Sequence, residues 1–430
     1  MLILEGRAYL KGGLEECAIG IEDGKIVAIK KSMKGDRKVD YGELLLLPGG
    51  IDVHVHFRDP GMTHKEDFQS GSTSAAMGGI TTVFDMPNTI PPTTTLRDYE
   101  AKMRIVKGKA FVDFCLYAGL ARPLQVPRLA KAEAPFKLYL AQTTGGLDVA
   151  IDEVPELLEA VPTEYPPIVV HAEDPAKFNS TMAGNLAQHN LSRPIEAEVS
   201  AVKMLREMNR RFHITHVTSD GGLKSLESSG FTTDVTPHHL LLDCSSQLGQ
   251  LGKVNPPLRE TSEREQIWKA FTEGRIDMLV SDHAPHTDDE KSVNFEDAPA
   301  GMPGVETMVP LLLRRVRSGE LSIERLIDAV CERPAALMGL NKGKLEVGMD
   351  ADIVVLNLRP VSRIRGKHLH SKCGWTAFEG WEAVFPAATY LRGNLVVDKG
   401  EVVEDSLGKP VKVRSQAEPS EATKKHVRPR

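Results

Sequence analysis

Two histidines one residue apart, His54 and His56, close an apolar run that passes from Leu44 through Leu47 and on to Ile51. On a strand alternate side chains share a face, so both imidazoles can address one metal ion. Arg58 continues the same parity, and a guanidinium there could grip a carboxylate through two parallel hydrogen bonds. Taken alone, the histidine pair reads equally well as ordinary strand or loop residues. The placement recurs, however. Lys137 in Phe136-Lys137-Leu138-Tyr139-Leu140, His171 after Ile168-Val169-Val170, His216 after His213-Ile214-Thr215, and Asp282 after Met278-Leu279-Val280-Ser281 each stand at the end of a short apolar run rich in β-branched residues. Metal-competent residues at successive strand exits are what a parallel barrel with its site at the carboxyl ends of the strands requires.

The elements that must position these residues can be followed along the chain. Residues 1–48 alternate as short strands around an Asp23-Gly24 turn, a hairpin signal, and a similar texture returns at Asp350–Leu356 and Tyr390–Val397. The two ends are therefore expected to pair into one small β-domain, residues 1–48 with 343–405. Between them, strand-like runs alternate with helical stretches such as Ile195–Asn209 and Val305–Ser318, which predicts a parallel α/β barrel over residues 49–342. No internal repeat is present. The segment 406–430 is rich in Lys, Glu, Pro and Ser without an apolar face, and is expected to be a disordered tail.

Composition narrows the function classes. In 430 residues, 41% hydrophobic content is enough for one large core, and a net charge of -6 offers no basic excess for nucleic acid or acidic lipid. The five cysteines, Cys17, Cys115, Cys244, Cys331 and Cys373, are scattered and odd in number, which suits a reducing compartment. Neither a basic leader nor a run approaching ~20 apolar residues is found, so a soluble, cytoplasmic enzyme acting on a small molecule is expected.

With Asp52-Val53-His54-Val55-His56-Phe57-Arg58-Asp59-Pro60-Gly61, Asp85-Met86-Pro87-Asn88-Thr89, Lys137-Leu138-Tyr139, His171-Ala172-Glu173, His216-Val217, Lys253-Val254-Asn255-Pro256-Pro257-Leu258-Arg259 and Ser281-Asp282-His283-Ala284-Pro285-His286, the chain resembles the amidohydrolase superfamily, and within it the dihydroorotase family of cyclic amidohydrolases. The resemblance runs from the first hairpin to about residue 400. It implies a (β/α)8 barrel with an accessory β-sandwich, and a zinc-dependent, reversible closure of N-carbamoyl-L-aspartate to L-dihydroorotate in pyrimidine synthesis. It also implies two Zn²⁺ ions, one on His54, His56 and Asp282, the other on His171 and His216. Lys137 would bridge them, and because an ammonium cannot ligate a cation, it would do so as a carbamate with two anionic oxygens. Imidazole and carboxylate ligands also admit cobalt or manganese.

In the same reading a metal-bridged hydroxide attacks the amide, and Asp282 carries the proton between it and the ring nitrogen. Arg58, Asn88 and His286 would hold the substrate α-carboxylate, and Asn255 the polar edge of the ring. Glu173, Asp59 and His283 would orient ligands. A third zinc at His238 and His239 is disfavoured, because Thr215 stands where some relatives place a cysteine. Gln142–Leu147 has the glycines of a lid and a matching Thr143, but lacks the aromatic that some relatives carry there. Two alternatives stay open: an allantoinase or hydantoinase, whose rings do not call for Arg58, and a non-catalytic scaffold, a class that typically loses metal ligands, none of which is missing here. A homo-oligomer or a carbamoyltransferase partner is left open by the sequence.

Overall fold

Alternating apolar residues build the first four strands, β1 (Leu2–Leu10), β2 (Gly13–Glu22), β3 (Lys25–Lys30) and β4 (Arg37–Pro48). The β2–β3 link is the expected two-residue turn, with Asp23 and Gly24 at φ 49° and 77° and Glu22 paired to Lys25. The computed structural model describes residues 1–11, 13–143, 145–179, 184–403 and 407–414.

The chain then enters the barrel. β5 (Gly50–Val55), β6 (Ile80–Asp85) and β7 (Asp113–Leu116) form one parallel group, and β8 (Ala118–Gly119), β9 (Phe136–Tyr139), β10 (Ile168–His171), β11 (Phe212–Ile214), β12 (Thr232–Val235) and β13 (Met278–Leu279) form the other. β7 pairs with β6 and β8 with β9, with Tyr117 between them, so these two share one strand position and the barrel has eight. The ring closes between its last and first strands. Val55 bridges His283 in parallel, His56 N donates to His283 O at 2.8 Å, and Asp52 Oδ1 accepts from both His54 N and Ser281 N.

Inside the barrel, Ile51, Val53, Phe84, Cys115, Tyr117, Val169, Met278 and Val280 form one buried cluster. The opposite strand faces, including Val83, Phe114, Leu138, Val170, Ile214 and Val235, pack into the larger core that holds the helices. Those helices include Ile195–Arg206 and Met308–Arg317, the cores of the two stretches read from periodicity. The second starts later than its pattern suggests, because the turn before it is closed by the Gly304 carbonyl, which accepts from Thr307 N and Met308 N.

β14 (Ile353–Leu356) returns antiparallel to β4. After a separate two-residue pair, β15 (Ser362–Arg363) with β16 (Glu382–Ala383), the chain adds β17 (Ala388–Leu391), β18 (Asn394–Asp398) and β19 (Glu401–Val402). The β-domain expected from both chain ends is one continuous ladder in the order β19-β18-β17-β14-β4-β1-β2-β3. Its two central strands show the period-two division of labour: Leu46, Ile353 and Val355 fill the domain's own core, whereas Leu47, Val354 and Leu356 join the barrel's. No described helix is long and apolar enough to cross a membrane.

The expected tail needs correcting in its first part. Residues 407–414 are held against the amino-terminal end of the barrel: Phe114 N donates to Lys409 O, Val411 N to Phe114 O and Arg414 N to Met338 O, and Val413 is buried beside Ala335, Leu337 and Met338. Two valines one residue apart are too short a pattern to stand out from their lysine- and proline-rich surroundings, yet they suffice to add an extended segment. The remainder, 415–430, lies outside the described residues.

A buried ionic junction ties the β-domain to the barrel. Lys342 Nζ lies 2.8 Å from Asp113 Oδ2 and 2.5 Å from Asp352 Oδ2, while Arg392 bonds Asp113 through its side chain and Asp352 through its backbone N–H. In Lys342→Met, Arg392 still covers Asp113 but Asp352 loses its side-chain cation, and breaking a buried pair in this way costs about 3–5 kcal/mol. Chemical denaturation should show a loss of that size; an unchanged midpoint would mean that the junction is not stabilising.

Candidate active site

At the carboxyl ends of the strands a cavity of about 400 Å³ is lined by His54, His56, Arg58, Asn88, His171, His216, Asn255 and Asp282, together with Tyr139, Thr143 and Arg193. Eight of the ten residues singled out from the sequence therefore share one wall. Lys137 lies beneath them, 1% exposed, and His286 lies against Arg58, buried behind the lining.

Three of the four imidazoles are oriented by what the outer nitrogen touches; His216 Nδ1 has no hydrogen-bond partner among the described residues. His54 Nδ1 is 2.7 Å from Thr215 Oγ1, and that hydroxyl donates onward to Asp234 Oδ1 at 3.0 Å, so the threonine oxygen accepts from Nδ1–H and the Nε2 lone pair is free. His56 Nδ1 donates to Asn88 Oδ1 at 2.7 Å, again freeing Nε2. His171 is reversed: Nε2 donates to Glu173 Oε2 at 2.8 Å, and Nδ1 turns inward to within 3.1 Å of His216 Nε2. The two inward nitrogens of His54 and His56 converge on Asp282 Oδ1, at 3.2 and 3.1 Å. His54, His216 and Asp282 each place a donor atom within 4.8 Å of the others'.

Burial, reinforced by Lys137 and the neighbouring rings, pushes His54 and His216 well below the ordinary imidazole range, and burial also lowers His56 and His171. Neutral rings are the form that binds metal. Burial raises Asp282, but the close approach of His56 and the nearby charges, Lys137 among them, more than offset it, leaving the carboxylate below its usual range. Burial lowers Lys137 to about 7, and its Nζ has no hydrogen-bond partner among the described residues. Neutral imidazoles, a carboxylate and an unpartnered amine that gives up its proton near neutral pH form a donor set that fits divalent cations.

Two readings from the sequence are corrected here. Strand parity does not aim Arg58: β5 ends at Val55, its register shifts between Asp52 and Val55, and Arg58 sits at φ 60°. The turn is held instead by Phe57 N, which donates to Asp85 Oδ1 at 2.7 Å, with Asp85 itself paired to the buried Lys102. His216 and Asp282, both at φ 45°, likewise leave the strand direction through left-handed backbone, which costs of order 1–3 kcal/mol each and collects at functional sites. Lys137 is not at a strand exit but second in β9, with Tyr139 above it, which explains its depth.

Other expectations shift in detail. Asn88 spends its oxygen on His56 and its amide on Thr143 Oγ1 at 3.4 Å. Asn255 lines the cavity with its oxygen 3.0 Å from His189 Nε2. Glu173 orients His171 as expected, but Asp59 pairs with Lys109, and the His283 ring bonds Glu66 while its carbonyl fixes His56 N. His239 has both nitrogens engaged, by Thr236 Oγ1 and Pro256 O. In the loop Gln142–Leu147, Thr144 lies outside the described residues. Sequence reasoning missed Arg193, which bonds Glu173 through two N–H groups at 3.2 and 2.6 Å and stacks on Phe178. It also missed Asp234, whose role depends on a cross-strand contact that no local pattern announces.

Residues 45–396 match the Amidohydrolase family. The chain is 38% identical to a dihydroorotase of Methanosarcina acetivorans, over 91% of this chain and 90% of the relative. It is 39% identical to a dihydroorotase of Halobacterium salinarum, over 92% and 96%. In structure it is similar to the L-hydantoinase (dihydropyrimidinase) of Arthrobacter aurescens, with a TM-score of 0.89, 30% identity, and coverage of 96% of this chain and 99% of that one.

The relay from Asp234 through Thr215 to His54 yields a direct test. Thr215→Val keeps the shape but removes the oxygen that receives His54 Nδ1–H, and loss of such a partner weakens metal binding about 10- to 100-fold. Zinc competition against a chelator should show that drop, with the metal-free protein losing about 1–3 kcal/mol of stability because the His54 N–H is left buried without its acceptor. Equal affinity in the variant would remove the relay from the account.

Proposed function

The chain belongs to the amidohydrolase family, and from that membership we propose that this cyclic amidohydrolase is a dihydroorotase, interconverting N-carbamoyl-L-aspartate and L-dihydroorotate in pyrimidine formation. The observation that carries the reading is Arg58: a buried guanidinium in the wall of the cavity that also holds the imidazole–carboxylate cluster. A buried cation calls for an anion, and dihydroorotate carries a carboxylate beside its ring whereas hydantoin and dihydrouracil do not. The cavity volume is in the range that encloses a small ring.

Amidohydrolases are typically metal-dependent. In this reading His54, His56 and Asp282 would hold one zinc and His171 and His216 the other, and Lys137 would serve as a shared ligand once its neutral amine had added carbon dioxide and lost a proton. The lowered Lys137 makes that addition accessible near neutral pH. When bound, the two cations supply polarisation of the amide carbonyl and a water of lowered pKa.

The protein's own groups do the rest. Arg58, backed by His286, fixes the α-carboxylate, which orients the ring edge toward Asn255 and the scissile amide toward Asp282. In ring opening Asp282 takes the proton released as water adds and delivers it to the departing ring nitrogen; in closure it works in reverse. Hydrolysis therefore needs Asp282 ionised and closure needs it protonated. Cytoplasmic location and assembly, either with itself or with a carbamoyltransferase, belong to the same proposal and are open to fractionation and light scattering.

Two outcomes test it. Arg58→Met should lower kcat/KM for dihydroorotate by about 10²- to 10⁴-fold, the cost of stranding one member of a buried charge pair, while leaving the slow turnover of dihydrouracil nearly unchanged. Equal losses on both rings with metals retained would make Arg58 structural and favour the hydantoinase reading. Metal analysis should find two divalent ions per chain in the wild type, and Lys137→Ala should lose at least one of them and nearly all activity. Full activity with a single ion would contradict the binuclear arrangement.

A further inference from the structure

Lys65 lies in the loop after Arg58, and its ammonium stands on the nitrogen that decides what His286 can do. Its Nζ is 3.2 Å from His286 Nδ1 and 2.8 Å from Glu290 Oε1. An ammonium has donors only, so a bond to Nδ1 requires a lone pair there, and a neutral imidazole then carries its proton on Nε2. Among the described residues the one competing acceptor is weak: Glu290 Oε2 is 3.5 Å from Nδ1 and already accepts Thr287 N at 3.1 Å in a helix cap. On the other side of the ring, Nε2 lies 3.1 Å from Ala300 O, at the cavity wall, and 3.3 Å from an Arg58 terminal nitrogen. Two donors cannot bond one another. The Nε2–H therefore goes to Ala300 O, and the Arg58 terminal N–H is left to face the cavity.

We propose that Lys65 is a positioning residue: by donating to His286 Nδ1 it fixes the Nε2–H tautomer, so that His286 anchors the Ala300 carbonyl in the cavity wall and has no lone pair to tie up the Arg58 N–H, which stays available to an anionic substituent of the substrate. The identity of that anion rests on the dihydroorotase reading; the tautomer does not. Burial and the charges of Arg58, Lys65 and Lys291 keep the ring from taking a second proton, so it acts as a neutral donor. Lys291 is itself anchored to Pro299 O at 2.8 Å and leaves both ring nitrogens to the other groups.

The test combines a spectrum with kinetics on the zinc-loaded enzyme. Long-range proton–nitrogen correlation on protein carrying ring-labelled histidine, with His286 assigned by its loss in His286→Gln, should show Nε2–H in the wild type. In Lys65→Met the proton should move wholly or partly to Nδ1, with KM for dihydroorotate rising about tenfold, kcat held within about threefold and dihydrouracil turnover unchanged. Lys65→Arg, which keeps a donor, should restore both tautomer and KM. Should Lys65→Met fail to fold, Lys65→Ala carries the same readouts. An Nε2–H ring that persists without Lys65, or KM and kcat that fall together with loss of metal, would overturn the proposal. A wild type that shows the tautomer but does not open dihydroorotate would overturn the substrate assignment alone.

Discussion

Every imidazole at the mouth of this barrel is taken out of water, and the rest of the site depends on the acceptors that three of the four find for their outer N–H. Thr215 backed by Asp234 serves His54, Asn88 serves His56, and Glu173 backed by Arg193 serves His171. An unpaired buried N–H would cost of order 1–3 kcal/mol, so these partners set the tautomers, and the tautomers set which lone pairs face inward. The pattern alternates in a chemically useful way. His54 and His56 offer Nε2, His171 offers Nδ1, and all three converge on the volume around Asp282 and His216.

The backbone supplies the other half of the constraint. Strands carry the ligands upward, but Arg58, His216 and Asp282 leave them through left-handed conformations, which turn side chains inward where a regular strand would continue past the cavity. Such conformations persist only where the surroundings over-determine them. For Arg58 the fixing elements are Asp85 with Lys102 below and Pro285 O and His286 beside. For Asp282 they are the closure contacts between the last and first strands, where His283 O holds His56 N. Closing the barrel and shaping the site are thus the same set of bonds.

How much of this was legible in the sequence follows from the range of each interaction. His54 and His56 announce themselves because their relation is a strand period of two, and His171 and Asp282 because each follows a short apolar run. The Asp23-Gly24 hairpin was legible for the same local reason. Arg58 was placed correctly in the cavity but for the wrong cause, since a turn and not strand parity aims it. The partners that fix tautomers were invisible: Asp234 reaches Thr215 from the neighbouring strand, Arg193 is one arginine among many, and Lys65 matters only because a distant loop brings His286 beside it. The segment 407–414 was missed because its pairing with β7 spans most of the chain. Local patterns revealed which groups could do chemistry; the cross-strand contacts that make them competent had to be seen in three dimensions.

The account joins a metal-competent cluster to a clamp for an anionic substituent, and the choice among ring substrates tests that union most directly. Zinc-replete protein incubated separately with L-dihydroorotate, allantoin and dihydrouracil, with ring opening followed for each, should open dihydroorotate far faster than the other two. Preferential opening of allantoin or dihydrouracil would contradict the account, because the guanidinium at Arg58 would then face a ring with no carboxylate to meet it.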